Sequence, residues 1–356
     1  ALLKYLILFL LPVNLSVIYP YPEITNSVFV VGFAALLIIV GLIFLFIKQK
    51  KYPALSILLF ILANLILVLQ FLPFGEVLYA DRYMYVPLIG FAWLLGLLIS
   101  KLKIQPAIIS IAFVVIFSVF SFARANDWKS ALNLYEDINK KYPNQFIVLN
   151  SAGVESMFLN EDNKALDYLN KAVLVAPRNY KGFYNRGLLY LKNNKPEDAI
   201  KSFNQVIELY EYSKAYVGRA NAYYMLGDFP KAINDANYVL KTEPDNTRAH
   251  FALGNCYNDL NRVDDARKEY NKCIELENAE AEFYFKRGIV YGKKQDFNSC
   301  INDINTCLQL KPNYFEAYYW RGVAKVNLKQ NACEDFKIAA QKNYQPAIDA
   351  FNKYCR

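Results

Sequence analysis

The stretch YKGFYNRGLLYLKNNKPEDAIKSFNQVIELYEYS (180–213) decides the fold, because its pattern of small and aromatic residues returns along the chain. One small residue recurs at an almost constant interval, at Gly153, Gly187, Ala220, Gly254, Gly288 and Gly322. A second series with the same intervals is Ala131, Ala165, Ala199, Ala232, Ala266 and Cys300. A fixed period of this length indicates an array of helical hairpins, each too small to bury its apolar face alone.

The period and its residue types resemble those of the tetratricopeptide repeat (TPR). Small side chains let the two helices of a hairpin approach closely, and aromatic side chains fill the space beside them. The pattern predicts a repeat domain over 126–356, with about six repeats and a capping helix at 346–354. Asn126-Asp-Trp begins the second helix of a half repeat, whose first helix would be the apolar segment before it.

Residues 1–125 have a different composition, with six Lys, two Arg and only three acidic residues. A membrane-spanning helix needs about 20 apolar residues. Five segments approach that length, near 2–18, 28–47, 54–72, 83–100 and 104–122. The sequence therefore predicts an all-α protein, a bundle of about five transmembrane helices followed by a TPR α-solenoid superhelix.

The short loops between these segments give an orientation. Lys48, Lys50 and Lys51 share one loop, and Lys101 and Lys103 share another. Since such residues prefer the cytoplasm, the repeats are predicted on the outer side of a multi-pass membrane protein. Abundant Lys, Asn, Ile and Tyr suit an AT-rich bacterium, hence its inner membrane and periplasm. The lipid bilayer is then one partner, and the net charge of +8 does not indicate nucleic acid.

An outer loop in this half carries the candidate catalytic residues Glu76, Asp81 and Arg82. The guanidinium of Arg82 could bind a lipid phosphate. Alternatively, Arg82 is an interfacial anchor beside Tyr83 and Tyr85.

The repeats suggest two roles for polar residues. Arg219 and Arg287 precede Asp235 and Asp303 by the same distance along the chain, which favours salt bridges within a repeat over a ligand-binding ladder. The first helices of TPR units line a concave groove, where asparagine amides could bind a peptide backbone. An alternative is a groove that is merely solvated. The candidate partner-binding residues are Asn150, Tyr184, Asn221, Asn255, Asn258 and Tyr319.

All six cysteines lie in the repeat half. Cys333 and Cys355 are the candidate disulfide, because this pair would fasten the capping helix to a shortened last unit. The single histidine, His250, starts a repeat helix, so no metal site is predicted. No phosphate loop, catalytic triad or CxxC motif is present, and no cofactor is evident.

Three stretches together resemble a known family. These are residues 11–22 (LPVNLSVIYPYP), 80–87 (ADRYMYVP) and 126–128 (NDW). They are similar to stretches of the transmembrane-and-TPR-containing protein O-mannosyltransferase-like family, which has a C-type glycosyltransferase fold. The resemblance implies a polyprenyl-phosphate-linked sugar as donor, used on the outer face. It also implies that the family's acidic catalytic motif lies upstream of Ala1, so that this chain is a C-terminal portion.

Two functions follow as expectations. The first is the C-terminal part of a membrane glycosyltransferase, in which Arg82 contacts the lipid-linked phosphate and the TPR groove recruits protein acceptors. The second is a non-catalytic, membrane-anchored TPR scaffold that organises an envelope protein complex.

Overall fold

The computed structural model describes residues 26–53, 55–60, 96, 111, 115, 118, 119, 122 and 129–355, with the side chains at 26–33, 35 and 36 left out. The chain divides into two compact units, unit 1 at 1–176 and unit 2 at 177–356. All regular secondary structure in the described ranges is helical. The all-α class predicted from the sequence is therefore confirmed for this part.

Unit 1 contains an apolar helix and the first hairpin. The helices of unit 1 whose two ends are both described are α1 (Asn26–Lys48), α2 (Ala131–Lys141), α3 (Phe146–Phe158) and α4 (Asp162–Val175). Ser130 caps α2, since its hydroxyl accepts the backbone N–H of Asn133 at 3.1 Å. An ion pair of 2.6 Å between Lys164 and Glu136 links α4 to α2.

Unit 2 is a series of helical hairpins, each with a first helix (A) and a second helix (B). The A helices are α5 (Tyr180–Lys192), α7 (Ser213–Met225), α9 (Thr247–Asp259), α11 (Ala281–Lys293) and α13 (Phe315–Asn327). The B helices are α6 (Pro196–Leu209), α8 (Phe229–Thr242), α10 (Val263–Leu276), α12 (Phe297–Leu310) and α14 (Cys333–Ala340). Helix α15 (Gln345–Tyr354) closes the unit at the position predicted for the capping helix.

The structure agrees with the predicted repeats but does not support the predicted bundle of transmembrane helices. Within the part of the chain that the structure describes, no helix combines the length and apolar character that crossing a bilayer requires. The predicted spans 2–18, 54–72, 83–100 and 104–122 lie wholly or largely outside the described residues. The span predicted at 28–47 coincides with helix α1, and its membrane location stays a prediction.

Where the recurring small residue is glycine, the A helix lies against a large side chain of its own B helix. A Cβ atom on Gly254 would lie 2.6 Å from the ring of Tyr270, and one on Gly187 would lie 2.7 Å from Phe203. Real Cβ atoms do not approach other atoms so closely, so these positions require glycine. Gly153 and Gly322 meet Leu169 and Phe336 in the same way. A Cβ atom on Gly288 would lie 3.0 Å from the end of the Ile304 side chain, a tight contact that a small movement of that side chain relieves.

In one repeat, two alanines replace the glycine of the A helix and the large side chain of the B helix. Ala220 carries a Cβ where the other units have glycine, and Ala236 stands where those units have a large side chain. Both side chains are completely buried. The added methyl group on the A helix is thus matched by a smaller residue on the B helix, which keeps the two helices in contact.

Buried arginine–aspartate pairs join the two helices within three repeats. Arg219 donates to both carboxylate oxygens of Asp235 at 2.7 and 2.8 Å. Arg287 does the same to Asp303 at 2.7 Å for each bond. These are the intra-repeat salt bridges predicted from the sequence, and hydrogen bonding to the carboxylate raises the pKa of each of these two guanidinium groups.

The same arginines also reach the preceding repeat. Each also donates from Nη1 to an asparagine of the preceding B helix: Arg219 to Asn204 at 2.6 Å, Arg287 to Asn271 at 2.9 Å and Arg321 to Asn305 at 2.7 Å. In the last unit the aspartate is Asp335, which follows Arg321 more closely in sequence because that repeat is shortened. The pairs therefore connect helices both within and between repeats.

The turn from A to B helix places one residue in the left-handed region, seven positions after the small residue. Gly227 has φ 75° there, Asn194 55° and Asn261 57°. Gln295 and Lys329 occupy the same position at 63° and 58°. Glycine and asparagine suit this conformation, whereas the other two residues are conformationally strained there.

At the end of unit 2, α15 packs on the last hairpin. The rings of Tyr319 and Tyr344 lie 5.3 Å apart, and Phe336 is completely buried. A disulfide joins Cys333 at the start of α14 to Cys355 just after α15, with their Cα atoms 5.5 Å apart. This is the pair that the sequence singled out.

Candidate functional site

A groove-like cavity of about 800 Å³ lies in unit 2, along the A helices α5, α7 and α9. Leu188, Leu191 and Val217 give it an apolar surface. Its polar lining comes from Tyr184, Asn221 and the segment 243–248, which runs from the end of α8 into the first turn of α9. Gly218 also lines the cavity and is needed for packing, since a Cβ there would lie 2.6 Å from Phe203. The cavity combines apolar contact area with a few polar groups, as ligand sites commonly do.

Two of the six predicted groove residues line this cavity. Tyr184 packs against Tyr212 and Phe203, and burial raises the pKa of its phenol. Asn221 is exposed, and its side-chain amide has no hydrogen bond to another described residue. A free amide on a groove wall offers one donor group and one acceptor, the pair that a peptide bond needs.

The other four predicted residues do not line it. Asn255 accepts the hydroxyl hydrogen of Tyr270 at 2.8 Å, so its amide oxygen is used inside the repeat. Asn258 donates to Asp259 at 3.0 Å. The ring of Tyr319 packs among Trp320, Phe336 and Tyr344, and Asn150 is half-buried on α3 in unit 1. The first three take part in packing or in hydrogen bonds within their unit.

The sequence reasoning missed the charged residues of the cavity. Lys214 and Arg248 line it and are the second residues of α7 and α9. The side chain of Arg248 forms no hydrogen bond or ion pair with another described residue, unlike those of Arg219, Arg287 and Arg321 on the A helices. Lys214 and Arg248 are separated by one full repeat period, and this was the signal that could have identified them.

Three acidic residues also line the cavity. Glu243 accepts from the Ser213 hydroxyl and from Asn246, and these bonds, with the charge of Lys214, lower the pKa of its carboxyl group. Asp245 pairs with Lys272 at 3.1 Å. Glu277, by contrast, has no ion pair among the described residues. Lys214, Arg248 and Glu277 are therefore the charged residues of the cavity whose side chains form neither an ion pair nor a hydrogen bond with a described residue.

The candidate catalytic residues Glu76, Asp81 and Arg82 lie outside the described residues. Their role stays a prediction from the sequence.

Comparison with known protein families agrees with the hairpin geometry. Three family models described as tetratricopeptide repeat match residues 180–212, 217–281 and 281–314. With the stacked hairpins, these matches define the described repeat region as a TPR array. Such an array is suited to protein–protein interaction.

Similarity to individual proteins covers only parts of the chain. A segment of 92 residues is 35% identical to the STIP1 homolog of Dictyostelium discoideum, covering 26% of this chain and 16% of that protein. The chain thus spans about one-sixth of the length of that relative.

Solved structures show the same fold at low identity. The APC/C hetero-tetramer Cut9–Hcn1 is 14% identical with a TM-score of 0.58, over 62% of this chain and 45% of that chain. A tetratricopeptide repeat protein from Parabacteroides merdae is 20% identical with a TM-score of 0.54, over 67% of this chain and 96% of that chain.

Proposed function

We propose that the cavity along α5, α7 and α9 binds an extended segment of a partner protein. The observation that carries this proposal is the exposed amide of Asn221, which has no hydrogen-bond partner among the described residues and lines the same cavity as the apolar residues Leu188 and Val217. An amide can pair with a peptide bond, and the apolar residues can bury one side chain of the ligand. The array then acts as a recruiting module.

Peptide display against the full chain, purified in mild detergent, tests this proposal. We expect Asn221→Arg to lower the affinity for the selected peptides by about ten-fold or more. The larger, charged side chain fills the groove, and the amide acceptor is lost. Asn234→Arg on α8 is the matched control, since Asn234 is also exposed and lies outside the cavity. Equal binding to both variants would place the peptide site elsewhere.

We also propose that the array belongs to a membrane-associated protein, a role that does not depend on α1 crossing the bilayer. The support is the run 28–47, which contains no charged residue and is followed by Lys48, Lys50 and Lys51. Along α1 the side chains of Leu37, Ile38 and Phe44 are 57%, 63% and 67% exposed. Apolar residues in such a row favour contact with lipid or with another apolar surface.

An outer location of the repeats is supported by the pairing of Cys333 with Cys355, because disulfides persist in oxidising compartments. Trapping thiols with an alkylating reagent in intact cells, followed by a non-reducing gel, tests this. We expect Cys333 and Cys355 to resist alkylation until a reductant is added. Immediate labelling of both would place the repeats in a reducing compartment.

A glycosyltransferase role is a second candidate, supported by the resemblance of residues 80–87 to a motif of that membrane family. A polyprenyl-phosphate sugar would be the donor, with Arg82 on its phosphate. Transfer by membranes containing the full-length protein should fall with Arg82→Ala and persist with Arg178→Ala. Unaltered transfer would remove Arg82 from the site.

A further inference from the structure

The second residue of every A helix in unit 2 is charged. These residues are Lys181 on α5, Lys214 on α7, Arg248 on α9, Glu282 on α11 and Glu316 on α13. All five are exposed, and none forms an ion pair with another described residue. We call these five residues the charge strip.

The strip lies on the side of the A helices that lines the cavity. Lys214 and Arg248 contribute directly to the cavity lining. Lys181, Glu282 and Glu316 hold the same place in their own repeats, each one repeat period from the next member of the strip. Because equivalent residues of stacked repeats occupy equivalent positions, the five charges follow one another along the groove.

The sign of the charge changes once, between α9 and α11. Helix stability does not explain the basic part, since a cation in the first turn is repelled by the positive end of the helix dipole. The acidic part is favoured by that dipole, so Glu282 and Glu316 alone would need no ligand to explain them. The unfavourable placement of Lys181, Lys214 and Arg248 points to a use outside the helix.

Nearby acids compensate the basic part only partly. Glu243 is hydrogen-bonded to Ser213 and Asn246 and lies close enough to Lys214 to interact with it electrostatically. Asp245 is paired with Lys272 at 3.1 Å. Glu277 has no ion pair among the described residues and lies between α10 and α11, where the strip changes sign. It therefore extends the acidic part, while Arg248 has no carboxylate partner among the described residues.

We propose that the charge strip selects partner segments whose charges are arranged in two blocks. Acidic side chains of the ligand lie against α5 to α9, and basic side chains lie against α11 and α13. This rests on the proposed function, the binding of an extended segment along the groove. Neighbouring packed helices are about 8–10 Å apart and an extended chain advances about 3.4 Å per residue, so the five helices match a segment of about 12 residues.

Fluorescence anisotropy with three labelled peptides of about 12 residues tests the proposal. The peptides have one composition, with equal numbers of Glu, Lys and Leu. Two carry the charges in blocks, in opposite orders along the chain, and the third alternates them. We expect one blocked peptide to bind the full chain in mild detergent about ten-fold more tightly than the alternating one at low salt. The difference should shrink at about 0.5 M salt, because exposed charges are then screened.

Charge reversal gives the decisive comparison. The variant Lys181→Glu, Lys214→Glu, Arg248→Glu, Glu282→Lys and Glu316→Lys should prefer the blocked peptide of the opposite order. A control variant reverses three exposed cations outside the strip and the cavity, Arg178→Glu, Lys241→Glu and Lys268→Glu. It should keep the original preference.

The outcomes separate the two levels of the proposal. Equal binding of blocked and alternating peptides, or an unchanged preference after reversal, would overturn the charge strip while leaving peptide binding in place. If the array binds none of these peptides and display against it selects none that Asn221→Arg weakens, the proposed function itself fails.

Discussion

Replacing Gly254 by alanine tests whether close helix contact holds each repeat together. The new Cβ would lie 2.6, 2.9 and 3.0 Å from three ring carbons of Tyr270, whereas ordinary carbon contacts are about 3.5–4.0 Å. Tyr270 is completely buried, and its hydroxyl donates to Asn255 at 2.8 Å, so the ring can move only by straining this bond. Overpacking of this kind costs about 1–3 kcal/mol.

Helix propensity acts in the opposite direction. Alanine is better than glycine inside a helix by about 1 kcal/mol, so the net loss of stability at Gly254 should be about 0–2 kcal/mol. For an array of this size, this corresponds to a fall in Tm of at most about 8 °C. Thermal unfolding of the full chain, followed by circular dichroism at the helical minimum, measures the change.

Gly292 supplies the matched control, because it lies in α11 with Cys300 Sγ as its nearest neighbour at 3.7 Å. Gly292→Ala should therefore raise the stability by about 0.5–1 kcal/mol. In a Tyr270→Ala background, adding Gly254→Ala should no longer lower the stability, because the two alanines then pack as Ala220 and Ala236 do. If Gly254→Ala stabilises the array as Gly292→Ala does, the packing argument is wrong.

Three further predictions concern other parts of the repeat. Asp303→Ala should lower the free energy of unfolding by about 2–3 kcal/mol, measured in urea, because the partly exposed Arg287 loses both carboxylate bonds and keeps its bond to Asn271. Gln295→Gly should raise it by about 0.5–1 kcal/mol, since φ is 63° at that turn. The free energy of unfolding should fall as the pH rises above about 9, as measured by urea unfolding at a series of pH values. Burial raises the pKa of four thiols to about 12, those of Cys256, Cys273, Cys300 and Cys307. In the unfolded chain these thiols ionise at about pH 8.5, so a high pH favours unfolding.

Each of these has its own control. Asp198→Ala removes an exposed pair with Lys201 and should change stability by at most about 0.5 kcal/mol. Gly227→Gln should lower the free energy of unfolding by about as much as Gln295→Gly raises it. A rise in stability with Gly227→Gln would show that a positive φ at this turn does not favour glycine. The fourfold Cys→Ala variant should lose less stability than the wild type between about pH 9 and 11. If the free energy of unfolding of this variant falls with pH as steeply as that of the wild type, groups other than the four thiols cause the loss at high pH.

The sequence by itself determined the repeat. The near-constant interval between small side chains predicted the hairpins, and the equal separations of Arg219 from Asp235 and of Arg287 from Asp303 predicted their pairing. Both features are local, since they depend on residues within one hairpin whose helices must lie side by side. The shortened last unit and the position of the capping helix followed from the same register.

The tertiary structure decided which residues face a shared cavity. Asn255 and Asn221 follow the small residue of their repeats in the same way, yet the amide of Asn255 is used by Tyr270 while that of Asn221 is left exposed. The difference lies in the facing position of the B helix, which is Tyr270 in one repeat and Ala236 in the other. Exposure of a groove residue depends on side chains from neighbouring helices, and a single repeat pattern does not contain that information.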